Sequence, residues 1–161
     1  MTAPPFELES YFFTRISVNA DPLFVYEEEQ CDTPEVITDT KVSINNETRR
    51  DVQIQLGINV APSDEKHLPY NIDLIVVGFF ACDHDIPEED AFKKVVVNGT
   101  SILYAAARDF LLTVTGRGPF EAYTLPTTSF VDFAKKITLP DEMIETLGEK
   151  SKPRKKKAKS N

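Results

Sequence analysis

One segment, Val52 to Val60, alternates strictly between apolar residues and residues that are polar or small, and it strongly limits how the chain can fold. Its apolar positions are Val52, Ile54, Leu56, Ile58 and Val60. Because successive side chains of a β-strand point to opposite faces, this pattern predicts a strand with one buried and one exposed face. Such a strand needs partner strands and a cover for its apolar face.

Strand-like alternation recurs in three further segments, which run over residues 7–19, 36–45 and 70–82. Turn signals follow two of them, Asp21-Pro22 after the first and Asn45-Asn46 after the second. These segments predict a four-stranded antiparallel sheet, one face of which helices can cover while the other meets solvent.

Helical signals follow the last strand. Residues 85–98 begin with Asp85 as a capping residue, and Gly99 is expected to interrupt the helix. Residues 101–115 repeat apolar side chains at helical spacing and stop at Gly116, and a short helix is expected within 128–137. The predicted fold class is therefore α+β, a four-stranded antiparallel sheet with two helices packed on one face. Residues 1–140 form the expected domain, and 141–161 a flexible tail that is basic from 150.

The second face of the predicted sheet is not wholly polar. The odd-numbered positions of the first and fourth strands place large apolar side chains there. A patch of this kind lowers solubility unless something covers it. The cover is either another subunit or a ligand, and we expect a subunit interface at Tyr11, Phe13, Ile75, Val77 and Phe79.

Charge is unevenly distributed along the chain. The net charge is −8, but residues 150–161 carry seven Lys or Arg and no acid, which leaves 11 basic and 26 acidic residues elsewhere. An acidic body disfavours nucleic acid, so only weak binding through the basic tail is expected. The tail itself is either a solubilising segment or a polyanion-binding module.

Location and redox state are inferred from signals that are missing. The N-terminal residues lack the pattern of a secretory signal, and no apolar run is long enough to predict membrane insertion. A cytoplasmic location is therefore expected, with Cys31 and Cys82 as reduced thiols.

Residues that carry chemistry are few. His67 lies in a polar loop, and His84 lies in the run 82–85, whose adjacent Cys, Asp and His residues cannot all converge on one metal ion. The sequence contains neither a phosphate-binding glycine loop nor a nucleophile elbow. We therefore expect a protein that is not an enzyme and that uses no cofactor or metal.

Residues 113–126, TVTGRGPFEAYTLP, are rich in glycine and proline yet carry large apolar side chains. Within and after them, Gly116-Arg117-Gly118-Pro119-Phe120 is followed by Leu125-Pro126 and then Phe130. This helix exit resembles that of the SecB family of export chaperones. The order of strands and helices and the segment Pro34-Glu35-Val36 resemble the family as well, over about residues 6–135.

The resemblance implies a homotetramer, assembled as a dimer of dimers, that binds unfolded or precursor polypeptides in apolar grooves. It implies an ATP-independent holdase that needs no cofactor and passes its clients to the SecA export motor. By position in the sequence, the client-binding residues would be Phe24, Tyr26, Val36, Phe120, Tyr123 and Leu125.

The surface that would meet SecA departs from the family pattern. Arg15, Asn19 and Asn71 stand at matching positions, and of the family's acidic positions only Asp73 keeps its charge. The acidic candidates for this surface are Asp21, Glu27, Glu28, Glu29 and Asp73. Two alternatives therefore stay open, a SecB-like chaperone of a toxin–antitoxin system and a non-export adaptor that uses the same fold.

Overall fold

A computed structural model describes residues 6–26, 34–45, 47–48, 50–62, 67–82 and 89–136. Its elements, in chain order, are β1 (Phe6–Ala20), β2 (Ile37–Ile44), β3 (Asp51–Val60), β4 (Tyr70–Cys82), α1 (Glu89–Thr115) and α2 (Val131–Ala134). The strands form one antiparallel sheet in the order β1-β4-β3-β2. The predicted fold class is confirmed, whereas the boundary between domain and tail lies outside the described residues.

The core lies between the sheet and α1. Alternate residues of β3 and β4 are buried, as the period of two requires, and α1 covers them with its own buried side chains. Full burial of an aliphatic side chain stabilises the fold by about 1.5–3 kcal/mol. The helix contributes Phe92, Val95, Val96, Leu103, Ala107 and Leu111 to this core.

Helix α1 runs without a break through Gly99, so the predicted division into two helices at this residue is wrong. A Cβ atom at Gly99 would lie 2.5 Å from Cδ1 of Ile54 and 3.1 Å from Cζ of Phe80. The glycine is thus required for close approach of helix and sheet, and packing outweighs its low helix propensity. The proposed helix start at Asp85 lies outside the described residues.

The segment Ala91–Thr115 of α1 is long and apolar enough, by length and composition, to cross a membrane. Its buried side chains, among them Val96 and Leu103, contact the core described above. Packing against the sheet therefore accounts for the apolar side chains on the buried side of this helix.

Strand β1 does not alternate uniformly against β4. Its register shifts between Leu8 and Ser10 and again between Phe13 and Arg15, which indicates two β-bulges. Each extra residue reverses which side chains face the helix, so the faces are inverted between the bulges. Phe13 accordingly lies against Phe110 of α1, with ring centroids 4.6 Å apart.

This inversion changes which aromatic residues share the second face with Ile75, Val77 and Phe79. Tyr11 pairs with the buried Gly78 and its ring lies 6.4 Å from that of Phe13, so these two aromatic residues belong to the helix face. Phe12 takes their place on the second face, where its ring lies 6.0 Å from that of Phe79. The apolar patch on the second face, the "second-face patch" below, consists of Phe12, Ile75, Val77 and Phe79.

Candidate functional site

An open groove lies at the end of the sheet where α1 terminates. One wall is the connector after β1, and the other is the loop that leaves α1. The cavity has a volume of about 710 Å³. Its lining residues are Phe24, Tyr26, Pro69, Pro119, Phe120, Glu121, Ala122, Tyr123 and Thr124.

Tyr70, the first residue of β4, holds the helix-exit loop in place. Its buried hydroxyl donates to the carbonyl oxygen of Thr115 at 3.2 Å and accepts from the N–H of Phe120 at 3.4 Å. A Cβ atom at Gly118 would lie 2.5 Å from this hydroxyl oxygen. The glycine in the Gly-Arg-Gly-Pro-Phe motif is therefore needed so that the loop can pass over Tyr70.

A second anchor lies at the end of α1. The buried Thr115 hydroxyl donates to the carbonyl oxygen of Leu111 at 2.6 Å and accepts from the N–H of Tyr123 at 2.8 Å. Since Tyr70 and Thr115 bind backbone atoms on either side of residues 121–122, the loop has a defined course although it forms no helix or strand.

Three aromatic rings join the two walls. The ring of Phe120 lies 5.7 Å from that of Tyr70 and 5.3 Å from that of Phe24, each in an edge-to-face arrangement. Tyr26 lies 6.3 Å from Phe24 and is 77% exposed. Edge-to-face pairs of this kind add to the stabilisation that burial provides, so Phe120 links the connector to the end of the sheet.

Tyr123 lines the groove and is partly exposed, whereas Leu125 is buried. The hydroxyl of Tyr123 is buried and, among the described residues, has no hydrogen-bond partner. Burial raises the pKa of Tyr123 to about 12, and the nearby Tyr104 adds to the rise. Leu125 is fully buried in the core and does not line this groove, so nothing in the geometry supports the prediction that it binds clients.

The structure brings together four of the six predicted client-binding residues: Phe24, Tyr26, Phe120 and Tyr123. Val36 does not line the groove and packs partly buried against the core. For Leu125, which lies before a proline in a loop, the sequence gives no signal of whether the side chain is buried.

Two acids of the predicted SecA-type surface, Asp73 and Asp21, make contacts within the chain. Asp73 forms an ion pair with Arg15 at 3.1 Å, and both side chains are exposed. Asp21 anchors a turn, since its carboxylate accepts from the N–H of Leu23 at 2.9 Å. Glu27, Glu28 and Glu29 lie outside the described residues.

Tyr70 was not predicted as a site residue, although the sequence contains a signal for it. It shares the buried face of β4 with Ile72 and Leu74, and a buried tyrosine hydroxyl needs a hydrogen-bond partner. The partner lies 45 residues away, so only the tertiary structure identifies it. Within the described part of the chain, no group of three His, Cys, Asp or Glu side chains is placed to hold a metal ion.

Comparison with known proteins supports the fold alone. No family model and no curated protein matches the sequence. The structure is similar to that of the Mycobacterium tuberculosis SecB-like chaperone Rv1957, solved in complex with a ChAD peptide from the HigA1 antitoxin. The TM-score is 0.59 at 16% identity, over 78% of this chain and 91% of that chain.

A Streptococcus agalactiae protein of unknown function is also similar, with a TM-score of 0.45 at 13% identity. That match covers 78% of this chain and all of the other. The antiparallel sheet, the long helix across it and the likeness to Rv1957 together give the conclusion that the chain has a SecB-like fold.

Proposed function

We propose that the protein is a chaperone that holds unfolded segments of other polypeptides in the groove at the end of the sheet. The observation that carries this proposal is the open groove walled by Phe24, Tyr26, Phe120 and Tyr123. Large apolar groups on a loop that hydrogen bonds hold in place are suited to binding, because folding alone does not require their exposure.

The groove has the chemistry for extended chains. Aromatic rings bind apolar side chains of varied shape, and Glu121 and Thr124 add polar groups beside them. Pro119 carries no N–H donor, which reduces the tendency of the loop wall to pair as a strand. A volume of about 710 Å³ takes a short segment, so a long client would occupy the grooves of several subunits.

Binding by apolar burial needs no nucleotide, which suggests a direct experiment. The purified protein, without ATP, is added to a denatured globular protein that aggregates on dilution, and light scattering is followed. We expect suppression near a one-to-one ratio of subunit to client. If several unrelated clients aggregate at the same rate with and without the protein, the proposal is wrong.

The finer role that we propose is protection of a dedicated client, in the manner of a toxin–antitoxin chaperone. The support is that Rv1957, which shares the fold, was solved with an antitoxin peptide. Affinity capture from the native host, followed by proteolysis of the bound material, tests it. One dominant, aggregation-prone partner is expected, whereas many secretory precursors would favour export instead.

Delivery to SecA is the alternative, and the described residues give it a specific test. Arg15 pairs with Asp73, so the charge of the one family-like acid is balanced in this chain. Arg15→Glu would create an acidic pair there. If wild-type protein binds purified SecA and Arg15→Glu changes that affinity, the export role gains support; no binding by either protein would remove it.

A homotetramer is also part of the proposal. Supporting it, Phe12 of the second-face patch is 48% exposed, and on the outer side of α1 Ile102 is 38% and Leu112 is 37% exposed. Native mass spectrometry of the full chain tests the assembly. Four subunits per particle are expected, and a particle of one subunit at micromolar concentration would contradict the proposal.

A further inference from the structure

The proposed groove is already partly occupied by the chain itself. Phe24 lies in the connector after β1, and its ring packs edge-on against that of Phe120, with centroids 5.3 Å apart and an interplanar angle of 80°. Tyr70 makes the same kind of contact with Phe120 at 5.7 Å. Because Tyr70 belongs to the sheet, it is a fixed neighbour of Phe120, whereas Phe24 belongs to a connector.

A hydrogen-bonded turn directs Phe24 to this position. The N–H of Asp21 donates to the carbonyl oxygen of Pro69 at 3.0 Å, which ties the turn to the sheet end. The N–H of Phe24 donates back to the carbonyl oxygen of Asp21 at 3.1 Å, and the Asp21 carboxylate accepts from Leu23. As a result Leu23 is 85% exposed and Val25 is 72% exposed, while Phe24 between them is partly buried.

We infer that Phe24 is an internal competitor: without a client, its ring takes the place on Phe120 that an aromatic side chain of the client takes on binding. The inference rests on the proposed function and goes beyond it, because it assigns Phe24 to occupancy of the groove and not to recognition of clients. A client ring in this position and the Phe24 ring exclude each other, because two rings cannot occupy the same place on Phe120.

The contacts of Phe24 also indicate how strongly it should weaken client binding. Among the described residues, the Asp21 turn and the rings of Phe120 and Tyr26 make the hydrogen-bond and ring contacts that hold Phe24 in place. A contact of this strength keeps roughly four-fifths of the chains closed, which weakens client binding about fivefold relative to an open groove. Removing the Phe24 ring should therefore tighten binding by about that factor.

The test uses the full chain and, as the probe, a fluorescently labelled globular protein kept unfolded by reduction and carboxymethylation. Binding is measured by anisotropy for wild type, Phe24→Ala and the control Leu23→Ala. We expect about fivefold tighter binding for Phe24→Ala and no change for Leu23→Ala. Weaker or unchanged binding by Phe24→Ala overturns the inference and leaves the proposed function intact, provided that wild type binds.

A second measurement follows the ring itself. A 4-fluorophenylalanine placed at position 24 reports its surroundings by fluorine NMR, and Asp21→Ala supplies the reference for a released turn. Saturation with the probe should move the resonance to the released position; a resonance that stays in place while the probe binds overturns the inference. If neither wild type nor Phe24→Ala binds the probe, the proposed function fails and the inference fails with it.

Discussion

The hydroxyl of Tyr70 lies 3.2 Å from the carbonyl oxygen of Thr115, and this hydrogen bond joins the first residue of β4 to the last residue of α1. The same hydroxyl accepts from the backbone of Phe120, so one side chain sets both the end of the helix and the position of the groove wall. Loss of this hydroxyl should therefore affect the groove more than the core.

Tyr70→Phe should lower the free energy of unfolding by about 1 kcal/mol and weaken binding of the unfolded probe, because the loop loses an anchor. Tyr104→Phe is the matched control, since the Tyr104 hydroxyl donates to Pro126 at 2.8 Å, outside the groove lining. Denaturant unfolding and anisotropy measure the two effects. Equal affinities for the two variants would contradict the role given to Tyr70.

Gly99→Ala should destabilise the protein although alanine favours helices. The helix gains about 1 kcal/mol in propensity, but overpacking against Ile54 and Phe80 costs about 1–3 kcal/mol. Ile54→Val removes the methyl group that the new Cβ meets, so the double variant should recover part of the loss. Gly57→Ala is the control, because its nearest contacts would be 3.6 Å and 3.8 Å away. The urea midpoints of unfolding measure the stability of each variant. A Gly99→Ala variant that is more stable than wild type would show that helix and sheet can separate at this position.

Phe120→Ala should weaken probe binding about tenfold, which is typical for loss of a central aromatic contact. Val131→Ala serves as the comparison, because Val131 is 49% exposed on α2 and lies outside the groove lining. Circular dichroism and native mass must match wild type for both variants. Undiminished binding by a folded Phe120→Ala would remove the loop from the client site.

Phe79→Asp should break the assembly if another subunit covers the second-face patch, because a carboxylate beside Phe12 would lose its solvent on association. The control is Ser43→Asp, which adds the same charge at an exposed position of that face. Sedimentation at equal concentrations compares the two. A Phe79→Asp variant with the wild-type mass would exclude this patch from the interface.

Stability should fall in alkaline solution because of Tyr123. Its pKa is raised from 10.0 to about 12, so the folded state holds the phenolic proton more tightly than the unfolded chain does. This contribution is complete below pH 10 and is lost as the pH rises through about 12. Tyr123→Phe should flatten the fall in unfolding free energy over that interval. A parallel fall in both proteins would mean that Tyr123 titrates normally.

Local patterns determined most of the fold. The alternation in β3 and β4 predicted which of their side chains are buried. Successive side chains point to opposite faces of the sheet, so the apolar set must be the one that faces the core. The glycine- and proline-rich helix exit with Phe120 and Tyr123 predicted a loop that carries apolar groups, and both residues line the groove. These features depend on residues close together in the chain, so the sequence contains the information.

Only the tertiary structure decided the features that depend on distant partners. A glycine such as Gly99 gives the same sequence signal whether it ends a helix or allows the helix to approach the sheet closely. The proximity of Ile54 shows that close approach is its role here. Between the two bulges of β1, Tyr11 and Phe13 lie on the helix face and Phe12 lies on the second face. The positions of the bulges are set by the pairing of β1 with β4. Leu125 and Phe120 are both apolar loop residues, yet one is buried and the other lines a groove, because burial is decided by packing across the whole chain and not by hydrophobicity alone.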